Sequence, residues 1–517
     1  MKLKNCLLLV FILIHFNCNI SPNASMSQGV HSTLKQSGKN KKELFKVINH
    51  FKNNGNPLEL KAAYFLIENM LDRYHYRGPT VVRYRNSFNR MDSLIKSGNG
   101  IFDRSWDSIQ KNYPPPDLQT AEIVNDAKVI KADFLIKHIE LAFKAWQFPW
   151  AKNLSFEEFC EYILPYKLLN EEPEMWMEDN QVQYQWLPDS LKNLSNTKKA
   201  VLLINNELKK WFYINARFEC NWDINYSDLK KMRTGKCAHA TQLAAYSMRA
   251  MGIPVVMDYT PHWANKNFNH QWNALLYQNK TLHFIGTESD PGKDKIVFTR
   301  EYWIRRKRGK IFRHTYSVQK NSLANQVSSL DDIPDEFHSK NIKDVTKDYV
   351  PVSTVNIRLK GQVDNATYAY LCVFSDQEWK PIYWTKIGYF HQATFEDMEK
   401  GIVYLPAYFK SNKIIPAGKP FLLTDKGKLE EITPNNTNIK VALFSKYGEG
   451  KGNDIVPQET YELFFWNNDW ESLGQKTADA DSLIYQNVPK GSLLMLKNIK
   501  SGAQERIFTY TTKQIWW

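Results

Sequence analysis

Apolar residues recur at helical spacing through the N-terminal part of the chain and at alternate positions through its C-terminal part, with one mixed stretch between. Leu44, Val47, Ile48 and Phe51 fall on one helix face, Leu58 to Tyr74 carries a second behind Pro57, and Asp133 to Phe143 repeats the style. Ser155-Phe156-Glu157-Glu158 has the form of a capping box opening a helix from Phe159 to Leu164. The segment Leu202 to Arg217 reads as a helix leading into the mixed stretch, and Glu171, Glu172, Glu174, Glu178 and Asp179 read as an exposed acidic connector. From Pro351 the period becomes two: Val355, Ile357 and Leu359 alternate with polar residues, as do Ile439, Val441 and Leu443. Short strands are expected at Tyr368–Phe374, Ile402–Leu405, Phe421–Leu423, Tyr461–Trp466, Ser482–Tyr485, Ser492–Leu496 and Arg506–Thr511, with turn signals such as Asp425-Lys426-Gly427 between them. Short strands at this spacing predict antiparallel β-sandwich modules.

The mixed stretch, Met232 to Lys293, is where pattern and chemistry coincide. Ala240, Ala244 and Met248, with Leu243 and Met251 beside them, predict a helix from Cys237 to Met251, closed by Gly252-Ile253-Pro254. A strand, Val255 to Thr260, and a loop, Pro261 to Asn269, follow. His270–Tyr277 and Thr281–Gly286 then form a hairpin across Gln278-Asn279-Lys280. A thiol in the first turn of a helix feels the free backbone N–H groups there, which favour thiolate and are placed to bind an oxyanion. His270, at the start of a neighbouring strand, is the candidate base. Phe284, Gly286 and Glu288 share a face by alternation, so Glu288 or Asp290 is the candidate orienting acid.

These residues carry a resemblance. The cysteine opening a helix after glycine, the Arg249-Ala250-Met251-Gly252-Ile253-Pro254 closure, His270-x-Trp272-Asn273 on the next strand and an acid after the hairpin resemble the transglutaminase-like superfamily. The likeness is closest to the extracytoplasmic, multidomain transglutaminase domain-containing proteins of the Bacteroidetes. It implies an α+β, papain-like core with a Cys-His-Asp triad, carried onto Cys237, His270 and one of two acids. Asp290-Pro291 matches the usual dipeptide and Glu288 the usual distance from the strand aromatic Phe284. His262 and Trp263 are candidate substrate contacts from the loop, with Trp272 as a third, or as a core aromatic shielding the histidine. Trp211, Asn215 and Asn221 are upstream candidates for an oxyanion side chain, with nothing in the spacing to choose between them. Cys237-x-His239 with His262, His270 and His283 matches no familiar zinc spacing, so neither metal nor cofactor is expected.

Length and composition add the setting. At 517 residues the chain is too long for one core, and 43% hydrophobic with 24% charged residues suits folded domains. The net charge of +14 is spread among acids; its densest cluster, Arg305-Arg306-Lys307-Arg308, reads as a solvated turn, and no nucleic-acid motif accompanies it. Lys2 and Lys4 before the apolar run Cys6–Ile14 read as a signal peptide, and Cys18 stands where a lipoprotein would be acylated. Of the other cysteines, Cys160 and Cys220 are a candidate bridge. The expected organisation is signal peptide 1–18, tether 19–42, helical domain 43–215, transglutaminase-like core 216–345 and β modules 346–435 and 436–517. Trp379, Trp384, Trp466 and Trp470 read as core or inter-sheet residues, with sugar stacking as their functional alternative.

The function expected is that of an exported, envelope-located cysteine hydrolase or acyltransferase acting on peptide, glycopeptide or peptidoglycan-type amides. A catalytically silent envelope protein binding glycan or protein through its β modules is the alternative.

Overall fold

The computed structural model describes residues 26–98, 102–191, 196–215, 218–220, 222–292, 306–361, 363–364, 366–444, 455–504 and 506–517. The signal peptide, Cys18, Asn221 and Arg305 lie outside the described residues. Helices come first: α1 (Gln28–Gln36), α2 (Lys41–Asn53), α3 (Pro57–Glu68), α4 (Pro79–Lys96), α5 (Phe102–Asn112), α6 (Ala132–Trp146), α7 (Phe156–Tyr162), α8 (Trp176–Gln183) and α9 (Thr197–Lys209). A ribbon of β1 (Tyr74–Arg77) and β2 (Glu122–Asn125) crosses them. The capping box at Ser155 and Glu158 forms as expected.

Four expectations here need correction, the first being the helix expected from Leu202 to Arg217: α9 stops at Lys209, and Tyr213 and Ile214 pair as a short strand. The tether carries α1, whose Val30 and Leu34 are buried in the helical core; its one apolar stripe is too short to stand out in a polar segment. The helix after Pro57 stops at Glu68, and Tyr74 opens β1. The acidic connector is not exposed as a whole. Glu171 is 1% exposed, accepts the N–H groups of Leu168 and Leu169 and the hydroxyl of Tyr246, and so is consumed as an acceptor inside the fold.

Next come β3 (Tyr213–Ile214), α10 (Tyr226–Met232), β4 (Thr234–Gly235) and α11 (Cys237–Ala250), then a sheet of β5 (Val255–Thr260), β6 (His270–Tyr277), β7 (Lys280–Phe284), β8 (Phe312–His314) and β9 (Ile342–Asp344). Its strand order is β7-β6-β5-β8-β9, antiparallel throughout. The helix, the strand and the hairpin expected around Cys237 and His270 are all present, and Gln278 and Asn279 make the hairpin turn with φ of 50° and 58°.

The helix α11 is the axis of this part of the molecule. Every residue from His239 to Ala250 is buried, so its polar side chains are satisfied by neighbours rather than by water. Gln242 donates to the Ile224 carbonyl, Ser247 to Asn180 Oδ1 and Arg249 to the Val255 carbonyl. At its C-terminus, where backbone carbonyls lose helical partners, Gln181 donates to Ala250 O and Trp150 to Met251 O. One apolar cluster accordingly runs from Val30 in α1 through α11 to Phe284 in β7 and Tyr316. The helical region and the sheet share a core, and the boundary expected at 215/216 does not separate two cores.

The remaining chain forms two β modules. Strands β10 (Val352–Arg358), β11 (Tyr368–Ser375), β12 (Glu378–Lys386), β13 (Gln392–Glu399), β14 (Ile402–Lys410), β15 (Lys413–Pro416), β16 (Phe421–Leu423) and β17 (Leu429–Glu431) make one. Its β10-β13 pair packs on the β12-β11-β14-β16-β17 sheet through Val355, Phe395, Leu371 and Tyr404. Strands β18 (Asn438–Phe444), β19 (Thr460–Trp466), β20 (Trp470–Thr477), β21 (Ser482–Pro489), β22 (Leu493–Asn498), β23 (Phe508–Tyr510) and β24 (Gln514–Trp516) make the other, with Val441, Leu463, Tyr485 and Leu496 in its core. Asn435 lies in the connection between β17 and β18.

The basic cluster is also corrected. Arg308 is fully buried, its guanidinium 2.8 Å from Glu399 Oε1, while Glu399 Oε2 accepts the N–H groups of Arg308 and Gly309. What reads as a solvated turn is a charged joint between the sheet and the first β module, tolerable in the interior because both ions are paired and hydrogen-bonded. Cys160, Cys220, Cys237 and Cys372 are all free, so the Cys160–Cys220 bridge is not formed.

Gly252 closes α11 by two bonds, its own N–H to Arg249 O and that of Ile253 to Met248 O, at a φ of 69°. A Cβ there would stand 2.2 Å from the backbone carbonyl oxygen of Ala145. Gly252→Ala is therefore expected to destabilise the N-terminal unit by about 2–4 kcal/mol, from the left-handed backbone and the clash together, as read by urea denaturation; an unchanged midpoint would show that the contact with α6 is not rigid.

Candidate functional site

Cys237 is the first residue of α11 and half-buried. Two contacts fix the turn that presents it. The parallel pairing of β3 with β4 sets Ile214 opposite Gly235, and the Asn215 N–H donates to Gly235 O at 2.8 Å. The Lys236 N–H donates to Nδ1 of His239, which is buried, edge-on to Phe218, and held neutral with its pKa pushed down to about 3 by burial and then by the Lys236 charge. His239 is thus part of the helix start, and it also explains Gly235, where a Cβ would stand 2.7 Å from the His239 Cβ and 2.9 Å from its ring.

The backbone N–H of Gln271, the residue after His270, lies against the Cys237 sulfur, as does that of Ala238. Strand β6 is locked to α11 by its intervening side chains: Gln271 Nε2 donates to Thr241 Oγ1 at 2.8 Å, and Asn273 Nδ2 to Thr241 O at 2.9 Å. Asn273 Oδ1 also accepts the Gly286 N–H at 3.1 Å, so one fully buried amide joins helix, strand and the turn after β7. His270 and Trp272 alternate with these residues, opposite Thr260 and Asp258 of β5. The His270 ring stacks on Trp263 at 5.6 Å and on Trp272 at 6.0 Å.

Behind the histidine runs a buried polar chain that the sequence reading did not single out. Trp272 Nε1 donates to the Tyr349 hydroxyl, which donates to Asp258, and Asp258 takes a two-point contact from Arg313 at 2.8 Å each. A single carboxylate within the apolar run Val255–Thr260 was the available signal, since a buried acid demands a partner. Trp272 is fully buried, which removes it from the candidate substrate contacts and leaves it a core aromatic backing His270. His262 is turned to Glu336, 3.0 Å from its Nε2, and Trp263 is 6% exposed.

The two acids part company after Phe284. Thr287 takes a φ of 69°, and the Glu288 and Ser289 N–H groups both donate to Ile285 O, so the alternation expected to carry Glu288 onto the face of Phe284 ends in a turn. Asn205 of α9 shapes that turn, accepting the Thr287 N–H and donating to Ser289 O; a polar residue on the apolar face of α9 was its signal. Asp290 is drawn to α9 by Lys209 Nζ at 2.6 Å. Glu288 is exposed, and its negative charge reaches the Cys237 sulfur. Of the upstream candidates, Asn215 comes to the helix start, while Trp211 is half-buried just past the end of α9.

The thiol is not activated in this state, contrary to the expectation for a helix start. Burial raises the Cys237 pKa and the Glu288 carboxylate adds to it, outweighing the Gln271 and Ala238 N–H groups and the charge of Lys236, which pull the other way. Among the described residues, no group of three or more His, Cys, Asp or Glu is arranged to hold a metal ion.

No protein-family model matches the chain, and no curated protein matches it.

Alkylation of Cys237 by iodoacetamide is expected to rise with pH through a midpoint above about 8.5, the ordinary thiol value. Glu288→Gln, by removing the negative charge, should lower that midpoint and speed the reaction at pH 8 by roughly two- to threefold, the scale of a solvent-screened contact. Slower alkylation in this variant would mean that Glu288 acts through His270 instead. Asn273→Ala leaves the buried Gly286 N–H unpaired and removes the amide that ties strand to helix, while Thr241 O keeps its helical partner, and should cost about 1–3 kcal/mol in urea denaturation; a loss under about 0.5 kcal/mol would show that water replaces the amide.

Proposed function

We propose that this chain is a cysteine hydrolase or acyltransferase of the transglutaminase-like type, with a papain-like arrangement around Cys237. The observation that carries the reading is the sulfur at the start of a buried helix, in contact with the backbone of the strand that begins at His270. The raised thiol pKa sets the order of events. The thiol stays neutral until an amide carbonyl is bound; His270 then takes its proton as sulfur bonds to the carbonyl carbon. The carbonyl electrons go to oxygen, where helix-start N–H groups, with Asn215 beside them, stabilise the charge. Collapse breaks the carbon–nitrogen bond, His270 returns the proton to the leaving amine, and a thioester remains. Water, or an acceptor amine, completes the cycle by attacking that thioester, giving acid or new amide and the free thiol.

Glu288 suits the orienting role better than Asp290, whose charge is already engaged by Lys209. Peptides, glycopeptides or peptidoglycan-type amides at the cell envelope are the substrates this reading implies, with export through the N-terminal segment and a lipid anchor on Cys18. Among the described residues, no helix is long and apolar enough to cross a membrane. The raised thiol pKa also favours a second reading, an envelope protein that keeps the arrangement and binds without turnover.

Incubation with a peptide and glycopeptide panel, with hydroxylamine to intercept the thioester, separates the two. Turnover and a trapped hydroxamate are expected, lost in Cys237→Ala and reduced at least about a hundredfold in His270→Ala, the usual scale for removing a general base. Turnover that survives Cys237→Ala overturns the proposal.

A further inference from the structure

Where the connector before β9 meets the two β modules there is a cleft of about 640 Å³, within the size range of small-molecule sites. Its walls include Trp379 from β12, Trp466 and Trp470 from the β19–β20 turn, Phe409, Glu336 and Asp469. The three indoles form a ladder, Trp379 to Trp466 at 5.6 Å and Trp466 to Trp470 at 5.1 Å, each pair edge to face. Trp379 and Trp466 are 7% and 4% exposed, yet neither indole N–H has a hydrogen-bond partner. A buried donor left unmade costs about 1–3 kcal/mol, and both nitrogens are closed to solvent beside the cleft, so a small shift of the indoles that opened them to a ligand would gain a hydrogen bond for each.

We propose that this cleft binds a neutral saccharide. A sugar ring offers an apolar C–H face to Trp470, the half-buried end of the ladder, and hydroxyls that accept from indole N–H while donating to carboxylate or amide oxygens. Asp469, Asn468 and Glu336 supply those oxygens. The charge balance selects against an anionic ligand. Asp335, Glu336, Glu378 and Asp469 outnumber Lys380 and Lys413 along the walls, although the chain as a whole is +14, and Lys380 is already paired with Glu378.

A chain of contacts leads from the cleft wall toward His270. Glu336 takes Nε2 of His262, and the next residue, Trp263, stacks on His270. A saccharide seated here directs the peptide it carries along that chain of contacts, which makes a glycosylated peptide the substrate class; that step rests on the thiol reading, whereas the binding site stands without it.

The test titrates the full-length protein with N,N′-diacetylchitobiose, cellobiose and mannobiose, followed by calorimetry and tryptophan fluorescence. Saturable binding of at least one disaccharide with a change in indole emission is expected. Trp470→Ala should weaken it about tenfold, as for loss of an aromatic stacking face. Asn468→Gly, at a position with a φ of 67° that glycine accepts without strain, should weaken it severalfold while leaving the fold intact. No saturable binding up to about 10 mM, a limit corresponding to negligible affinity, overturns the proposal. So does binding indifferent to both substitutions, or an unglycosylated peptide occupying the cleft in place of sugar. Sugar binding retained in Cys237→Ala, with no thiol-dependent turnover in the parent protein, supports the cleft and overturns the thiol reading. Turnover without sugar binding does the reverse.

Discussion

The rest of the structure depends on the complete enclosure of α11. A helix with water on one side keeps its polar residues wet, but this one has no such side, so Gln242, Ser247 and Arg249 each need a partner in another element. Those partners lie in the helical region before it and the strand after it, which is why the two share a single apolar cluster. The N-terminus of α11 is the end left partly open, and it carries Cys237. Position follows from burial: the sulfur sits where the enclosure stops.

The same enclosure explains the state of the thiol. Free N–H groups at a helix start favour a thiolate, but only if the sulfur keeps enough solvation to hold charge. Here the half-buried sulfur has lost enough solvation for burial to outweigh the N–H groups. A thiol held this way stays neutral near pH 7. It is protected against adventitious oxidation and alkylation, which strike thiolates first.

Beyond the sheet, the β modules are joined to it by buried charge as well as by apolar packing. The Arg308–Glu399 pair and the contacts of Lys310 Nζ with Asp344, Glu396 O and Asp397 O seat the first module on the sheet. Phe312, Phe337, Tyr370 and Trp384 complete the joint as a shared apolar cluster. Charged groups with defined donors and acceptors fix orientation more tightly than apolar contact alone. The placement of the tryptophan cleft near His262 is a consequence of that seating.

Much of the local order was legible in the chain itself. The helix from Cys237 with its glycine closure, the strand Val255–Thr260, the hairpin from His270 and the period-two modules all follow from spacing and turn residues, because these are properties of neighbours in sequence. What tertiary structure alone decided is everything that turns on burial and on partners distant in sequence. It put Glu171 and Arg308 inside, sealed Trp272, drew Asp290 to Lys209, and raised the thiol pKa. The physical reason is that a charge or a polar group looks the same in sequence whether it ends in water or in the interior, and only the packing of remote segments determines which.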